Sequence, residues 1–213
     1  MKLNDPPTIA VTPMTYELFT GLALFASVAS ITPGPNNLML MASGANYGFR
    51  RTIPHMAGVN AGFVLMVFLV GIGLAQLFTA YPASHTILKA VSVVYLLYLA
   101  WKIATATLSE TAASGSARPF TFIQAALFQW VNPKAWTMAL TAVTVYSPTQ
   151  TLASIALVAA IFGSINLPSI CLWIMLGKRV QRYLKSDKHL LIFNLTMAAL
   201  LVASLIPVFT SSL

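Results

Sequence analysis

The sequence has few charged residues, since Asp, Glu, Lys and Arg make up 8% of its 213 residues and only four of these are acidic. Soluble globular domains carry about 25% charged residues. Hydrophobic residues account for 58% of the chain. A membrane-spanning helix needs about 20 apolar residues, so six spans use about 120 residues and leave no room for a nucleotide-binding domain. The composition therefore predicts a polytopic membrane protein, with any energy input taken from a gradient.

The sequence also lacks the groups that catalysis and metal binding require. Cys171 is the single cysteine and lies in an apolar run, which excludes a disulfide and a redox or zinc pair. His55, His85 and His189 fall at the ends of apolar runs without metal-ligand spacing, so we expect solvated surface histidines. No carboxylate falls inside an apolar run. We therefore predict neither an enzyme nor a bound cofactor or metal.

Six stretches with little or no charge predict six spanning helices. They cover residues 18–49, 56–78, 87–107, 120–145, 151–176 and 190–209. The first is interrupted by Thr32-Pro33-Gly34-Pro35-Asn36-Asn37, whereas the second is predicted to be uninterrupted. The fourth contains a single charge, Lys134, within Asn132-Pro133-Lys134.

The two halves of the chain correspond to each other. Each opens with a proline-interrupted span, and each carries an asparagine in its second span, Asn60 and Asn166. Because each half has three spans, the second half must insert upside down, which gives an all-α, 3+3 inverted repeat with broken first and fourth helices. The predicted boundaries are an N-terminal tail at 1–15, a first repeat at 16–107, a central loop at 108–119 and a second repeat at 120–213. This architecture places a substrate site near the membrane midplane.

The basic residues are unevenly distributed over the predicted loops. Nine of them fall in the loops that join spans 1–2, 3–4 and 5–6: Arg50, Arg51, Lys102, Arg118, Lys178, Arg179, Arg182, Lys185 and Lys188. The positive-inside rule places these loops in the cytoplasm and both termini outside. The net charge of +8 therefore indicates membrane topology and contact with anionic lipid rather than nucleic-acid binding.

The interruptions predict where the substrate binds, because a helix broken within a bilayer frees backbone groups that protein or a wet cavity must satisfy. Gly34 permits unusual backbone angles, and Asn36 and Asn37 start a half-helix whose amide end favours an anion. Lys134 has no carboxylate within any span, so its partners must be freed carbonyls or an anionic substrate. For Asn60 and Asn166 the sequence leaves two roles open, helix packing and substrate contact. The predicted substrate-binding residues are Pro33, Gly34, Pro35, Asn36, Asn37, Asn60, Asn132, Pro133, Lys134 and Asn166.

The two proline motifs resemble those of the lysine exporter (LysE/RhtB) family. Gly44, the Gly48-Phe49-Arg50-Arg51 loop and Gly58 add to this resemblance. The resemblance covers nearly the whole chain, from about Tyr16 to Phe209. It implies efflux of amino acids or similar metabolites across the bacterial cytoplasmic membrane, driven by the proton gradient. Many members of the family carry an aspartate where this sequence has Phe63.

With one lysine and no carboxylate inside the spans, the site should favour neutral amino acids, small or branched, over lysine or arginine. Proton coupling would then use a histidine, Glu17 or water. The expected partners are a small-molecule substrate and the lipid bilayer, and assembly into a homo-oligomer is left open. Two alternatives remain open: a carrier of another small solute or ion, and a structural membrane subunit that does not transport, for which Lys134 would be dispensable.

Overall fold

The computed structural model describes residues 14–106, 119–149, 151–184 and 186–206. These residues form helices joined by short connections, and they contain no strand. The all-α class is therefore confirmed. Most of the predicted N-terminal tail and of the predicted central loop lies outside the described residues.

The helices in chain order are α1 (Tyr16–Ile31), α2 (Pro35–Leu69), α3 (Gln76–Ala80), α4 (Ala83–Ala104), α5 (Phe122–Phe128), α6 (Pro133–Tyr146), α7 (Leu152–Gln181) and α8 (Asp187–Ala203). A π-helical segment, Val70–Leu74, extends α2, and a 3₁₀ turn, Gln129–Val131, extends α5. By length and composition, the segments able to cross a membrane unaided are Pro35–Leu74, Ala83–Ala104 and Leu152–Gln181. Tyr16–Ile31 and Phe122–Val131 are shorter apolar helices.

Helix α2 contains parts of the first two predicted spans, joined at Gly48. Gly48 has φ 78° and ψ 171°, a conformation that glycine adopts readily, and there the chain reverses its direction. Thr52 donates to the Gly48 carbonyl at 2.8 Å, and the Ser43 and Thr52 hydroxyls lie 3.0 Å apart. A one-residue corner thus replaces the predicted loop at 48–51. We call residues 35–47 α2a and residues 49–69 α2b.

The tight corner also corrects the prediction for His55. Because helical structure resumes at once after Gly48, His55 lies nearly two turns inside α2b instead of at a solvated span end. Its side chain is buried, and its ring lies 5.3 Å from that of Phe120.

The second span is not the uninterrupted helix that the sequence predicts. After Leu69 the chain forms the π-helical segment, and Gly73 within it has φ 116°. Gly71 packs against the side chain of Ile155 so closely that a methyl group would not fit. A close helix contact and a positive-φ glycine thus occur together where the regular α-helix ends.

Contacts along α7 show that α1 and α2a are successive parts of one crossing. Near the middle of α7, Phe162 lies edge-on to Phe25 of α1, with ring centroids 5.8 Å apart. Further along, Gly177 packs against the backbone of Met41 in α2a. The chain therefore continues in one direction through the break at 32–34, as predicted for a broken first helix.

The second half repeats this arrangement. Gly58 and Gly62 of α2b pack against the backbone of α5. Beyond the break at 129–132, α6 runs on to Tyr146, whose ring stacks on that of Phe25 at 5.7 Å. The fourth crossing is therefore also broken, as predicted.

Equivalent helices of the two halves make equivalent contacts. Helices α2b and α7 form the central pair, α1 packs on α7 as α5 packs on α2b, and α4 packs on α8. Glycines allow α7 to approach both α2a and α2b closely, since a Cβ at Gly44, Gly163 or Gly177 would collide with the facing helix. This pairing is that of an inverted repeat, and it brings the two helix breaks together in the centre of the bundle.

Candidate functional site

A pair of side-chain amides joins the two breaks. Asn36 Nδ2 donates to Gln129 Oε1 at 2.8 Å, and Gln129 Nε2 donates back to Asn36 Oδ1 at 3.2 Å. Gln129 is fully buried and also donates to the Ala125 carbonyl at 2.8 Å. The two halves of the repeat are therefore connected at their midpoints by a satisfied polar pair.

The first break is stabilised from within by Asn37. Its side-chain nitrogen donates to the carbonyls of Ser30 at 2.7 Å and Thr32 at 2.9 Å, both freed where α1 ends. The new helix starts at Pro35 with Gly34 as its N-cap, one residue earlier than predicted. Asn37 thus donates to two carbonyls that have no acceptor role in a helix once α1 ends, a requirement that a broken helix imposes in the bilayer.

Lys134 reaches from the start of α6 to the end of α1. Its ammonium donates to the Thr32 carbonyl at 2.7 Å, which is the first of the two partners that the sequence predicts, a carbonyl freed at a break or an anionic substrate. The carboxyl end of a helix carries partial negative charge, so a cation is favourable there. A carbonyl does not neutralise the ammonium, and the positive charge remains available to an anion.

Gly34 serves a different purpose from the one that the sequence predicts. Its φ of −172° and ψ of 177° describe extended backbone that other residues also adopt. A Cβ at this position would lie 2.8 Å from Lys134 Cδ and 3.2 Å from Lys134 Nζ. The glycine therefore leaves space for the lysine side chain.

A small cavity lies between the breaks. Its polar lining residues are Ser30, Asn36, Asn37, Asn132, Lys134 and Asn166, with Gly34 beside them, and its apolar lining residues are Ala29, Val59, Phe63, Ala135, Met138 and Ile170. Lys134 is the one charged side chain among the described residues that line it. The space open to water in this cavity is about 30 Å³, so the cavity is small. Binding of an amino acid therefore requires the residues that line it to move.

Most of the predicted substrate-binding residues line this cavity, and four do not. Pro33 is exposed, whereas Pro35 and Pro133 occupy the first position of their helices, where a missing N–H costs nothing. Asn60 accepts a hydrogen bond from Asn166 Nδ2 at 2.9 Å, which joins α2b to α7. Packing therefore accounts for Asn60, while Asn166 both packs and lines the cavity.

The sequence prediction omitted several residues that form the site. Gln129 could have been found as a buried amide in an apolar span, three residues before Asn132. Phe63 was noted only as a departure from the family, but its ring is buried against Phe162 with centroids 4.8 Å apart and lines the cavity. Ser30 and Met138 carried no signal beyond their position in spans.

A cavity between two broken helices, at the interface of inverted repeats, is the arrangement in which secondary transporters bind their substrates. Residues 27–205 match the family model described as LysE type translocator, so the chain belongs to that family. The protein is thus a multi-pass membrane transporter and not an enzyme.

The chain is also similar to named relatives. It is 29% identical to the cysteine/O-acetylserine efflux proteins of Escherichia coli strain K12 and of Escherichia coli O9:H4 strain HS. The same identity is found with the protein of that name from Shigella flexneri. Each comparison extends over 201 residues, which is 92% of this chain and the whole of the relative. No solved structure matches the chain.

Proposed function

We propose that this protein exports small neutral amino acids across the bacterial cytoplasmic membrane. The observation that carries the proposal is the charge of the cavity, where Lys134 stands without a carboxylate among the described lining residues. Such a site attracts one anionic group and offers no counter-charge to a cationic side chain. The relatives' names support the proposal, because cysteine and O-acetylserine are both small amino acids with uncharged side chains.

The carboxylate of the substrate would bind where the broken helices resume. Helix α2 begins at Pro35 and α6 at Pro133, so the next backbone N–H groups, those of Asn36, Asn37 and Lys134, have no acceptor within their helices. The amino ends of both helices carry partial positive charge, to which the Lys134 ammonium adds a full one. Carboxylate binding is thus supported by two helix ends and one side chain.

The side chain of the substrate would face the apolar lining of Val59, Phe63, Met138 and Ile170. A second ammonium about 4 Å from Lys134 would be repelled by about 4 kcal/mol at an effective dielectric constant of about 20. Phe63 offers no charge to offset this repulsion. Lysine and arginine should therefore be poor substrates.

The test is a substrate comparison in proteoliposomes that contain the purified protein. Exchange of labelled leucine, threonine, homoserine, cysteine and O-acetylserine should be faster than that of lysine and arginine. Phe63→Asp adds a carboxylate beside the cavity and should raise the rate of lysine relative to leucine, whereas Phe63→Leu should not. If lysine is the fastest substrate of the unmodified protein, the charge argument fails.

The resemblance to amino-acid efflux proteins also supports coupling to the proton gradient. Accumulation of a neutral amino acid should then follow an imposed pH gradient and disappear when a protonophore is added. Accumulation that is indifferent to both treatments would contradict proton coupling without affecting the substrate class.

We infer that both termini face outward, because basic residues gather at one end of the bundle. Arg50 and Arg51 follow the Gly48 corner, and Lys178 and Arg179 lie in the last turn of α7 beside α2a. Reporter fusions at Ser109, Ser147 and Asp187 should report cytoplasmic, external and cytoplasmic positions. A cytoplasmic signal at Ser147 would overturn the orientation.

A further inference from the structure

Two polar atoms at the cavity have no hydrogen-bond partner. They are Ser30 Oγ and Asn132 Oδ1, and the two residues are only 3% and 2% exposed. Leaving a buried polar group unpaired is destabilising, so such atoms are rare in folded proteins. Because both residues line the cavity, a ligand in the cavity is the natural source of the missing donors.

The other polar side chains of the cavity are already bonded within the protein. These bonds join Asn36 to Gln129, Asn37 to the carbonyls of Ser30 and Thr32, Lys134 to the Thr32 carbonyl, and Asn166 to Asn60. Among the described residues that line the cavity, the buried side-chain atoms without a hydrogen-bond partner are therefore Ser30 Oγ and Asn132 Oδ1.

Asn132 is unusual for its position in the chain. It is the N-cap of α6, where an asparagine oxygen normally accepts a bond from a backbone N–H of the first turn. Here the side chain makes no such bond. Its oxygen is consequently free to accept from another donor.

The helix ends around these two atoms favour a cation. Ser30 lies in the last turn of α1, and Asn132 directly follows the 3₁₀ turn Gln129–Val131. The carboxyl ends of helices carry partial negative charge. At each break the carboxyl end of one helix, which favours a cation, thus lies close to the amino end of the next helix, which favours an anion.

We propose that Ser30 Oγ and Asn132 Oδ1 bind the α-ammonium group of the substrate. This inference rests on the proposed function, and it assigns the two ends of a zwitterion to different groups. The carboxylate contacts Lys134 and the resumed helices, and the ammonium contacts the two unpaired oxygens. The site therefore selects amino acids over 2-hydroxy acids of the same shape.

The test compares alanine and lactate as competitors of labelled neutral amino-acid exchange in proteoliposomes. Alanine should compete better than lactate in the unmodified protein. Ser30→Ala removes a single oxygen and should weaken competition by alanine at least tenfold while changing competition by lactate less than twofold. Ser27→Ala is the matched control, since this exposed serine lies on the same helix and donates to the Ala23 carbonyl.

Asn132→Ala provides a second, independent variant. It should likewise lower the ratio of competition by alanine to competition by lactate. Both competitors act on the same vesicles, so their ratio does not depend on how much folded protein each preparation contains. An unchanged ratio in both variants, or equal weakening of alanine and lactate, would overturn the ammonium site. Failure of every amino acid to compete in the unmodified protein would instead overturn the proposed function.

Discussion

The two helix breaks have the same backbone plan but use their side chains differently. In each, a helix stops, a few residues are not α-helical, and a proline occupies the first position of the next helix. At the first break, Asn37 bonds the carbonyls freed beside it. At the second break, Lys134 donates to the Thr32 carbonyl of the first break, and the oxygen of Asn132 is unpaired. We therefore expect the Asn37 side chain mainly to stabilise the structure and the side chains of Lys134 and Asn132 mainly to contact the substrate.

The difference has a local basis in the two sequences. The first break holds an extended glycine between two prolines, and because a proline disfavours helical backbone at the residue before it, the helix is interrupted between α1 and α2. In the second break α5 tightens into a 3₁₀ turn, and Asn132 N–H donates to the Gln129 carbonyl at 3.2 Å. That turn satisfies backbone groups without the asparagine side chain, which is left free for other contacts.

The strongest test of this contrast is Lys134→Met, which removes the charge while retaining most of the side-chain length. Thr32 keeps its bond from Asn37, so the variant should fold and insert. Exchange of neutral amino acids in proteoliposomes should fall at least about 100-fold, equivalent to about 2.7 kcal/mol. Lys102→Met, at an exposed lysine in the last turn of α4, is the matched control and should retain transport. Native rates in Lys134→Met would show that the second break does not bind substrate.

A second test compares stability at the two breaks. Asn37→Ala removes the bonds to the carbonyls of Ser30 and Thr32 and should lower the free energy of unfolding by about 2 kcal/mol. Asn132→Ala removes no side-chain cap bond and should change stability by less than about 0.5 kcal/mol. Unfolding in mixed micelles, followed by helical circular dichroism, measures both. Equal losses would contradict the division between a structural and a substrate-binding break.

A third test compares a glycine that leaves room for the Lys134 side chain with a glycine that lets two helices pack closely. Gly34→Ala would place a methyl group against the flexible end of Lys134, so the ammonium should shift and transport should fall about tenfold, or about 1.4 kcal/mol. Folding should change little. Gly177→Ala would instead meet the backbone of Met41 and should reduce thermal stability. Full transport in Gly34→Ala would mean that the position of Lys134 is not critical.

The smallest expected effect concerns the amide pair that joins the breaks. A double-mutant cycle of Asn36→Ala and Gln129→Ala should give a coupling energy of about 0.6 kcal/mol, typical of polar contacts between membrane helices. The same unfolding assay provides the measurement. Strict additivity of the two substitutions would show that the pair does not connect the halves energetically.

Features that depend on a few neighbouring residues could be predicted from the sequence. Proline lacks an N–H and restricts the residue before it, so the Pro33-Gly34-Pro35 and Asn132-Pro133 motifs predict the breaks, whereas Pro54 and Pro168 lie inside helices. The lack of a carboxylate in the spans likewise predicted that Lys134 would contact either a freed carbonyl or an anionic substrate. Features that depend on neighbours in space were missed, including the one-residue corner at Gly48 and the burial of His55.

By itself, the sequence determined the helical class, the two interrupted crossings and the single charge between them. The length of each apolar run and the position of each proline motif can be read from neighbouring residues alone. Only the tertiary structure decided how the polar atoms pair. Asn36 bonds Gln129 across 93 positions and Lys134 bonds Thr32 across 102, while Ser30 and Asn132 are left unpaired. Such pairing depends on where one helix lies against another, and that depends on close contacts such as Gly58 on α5 and Gly177 on α2a. Neither partner of a distant hydrogen bond carries a local signal of the other, so only folding brings the two together.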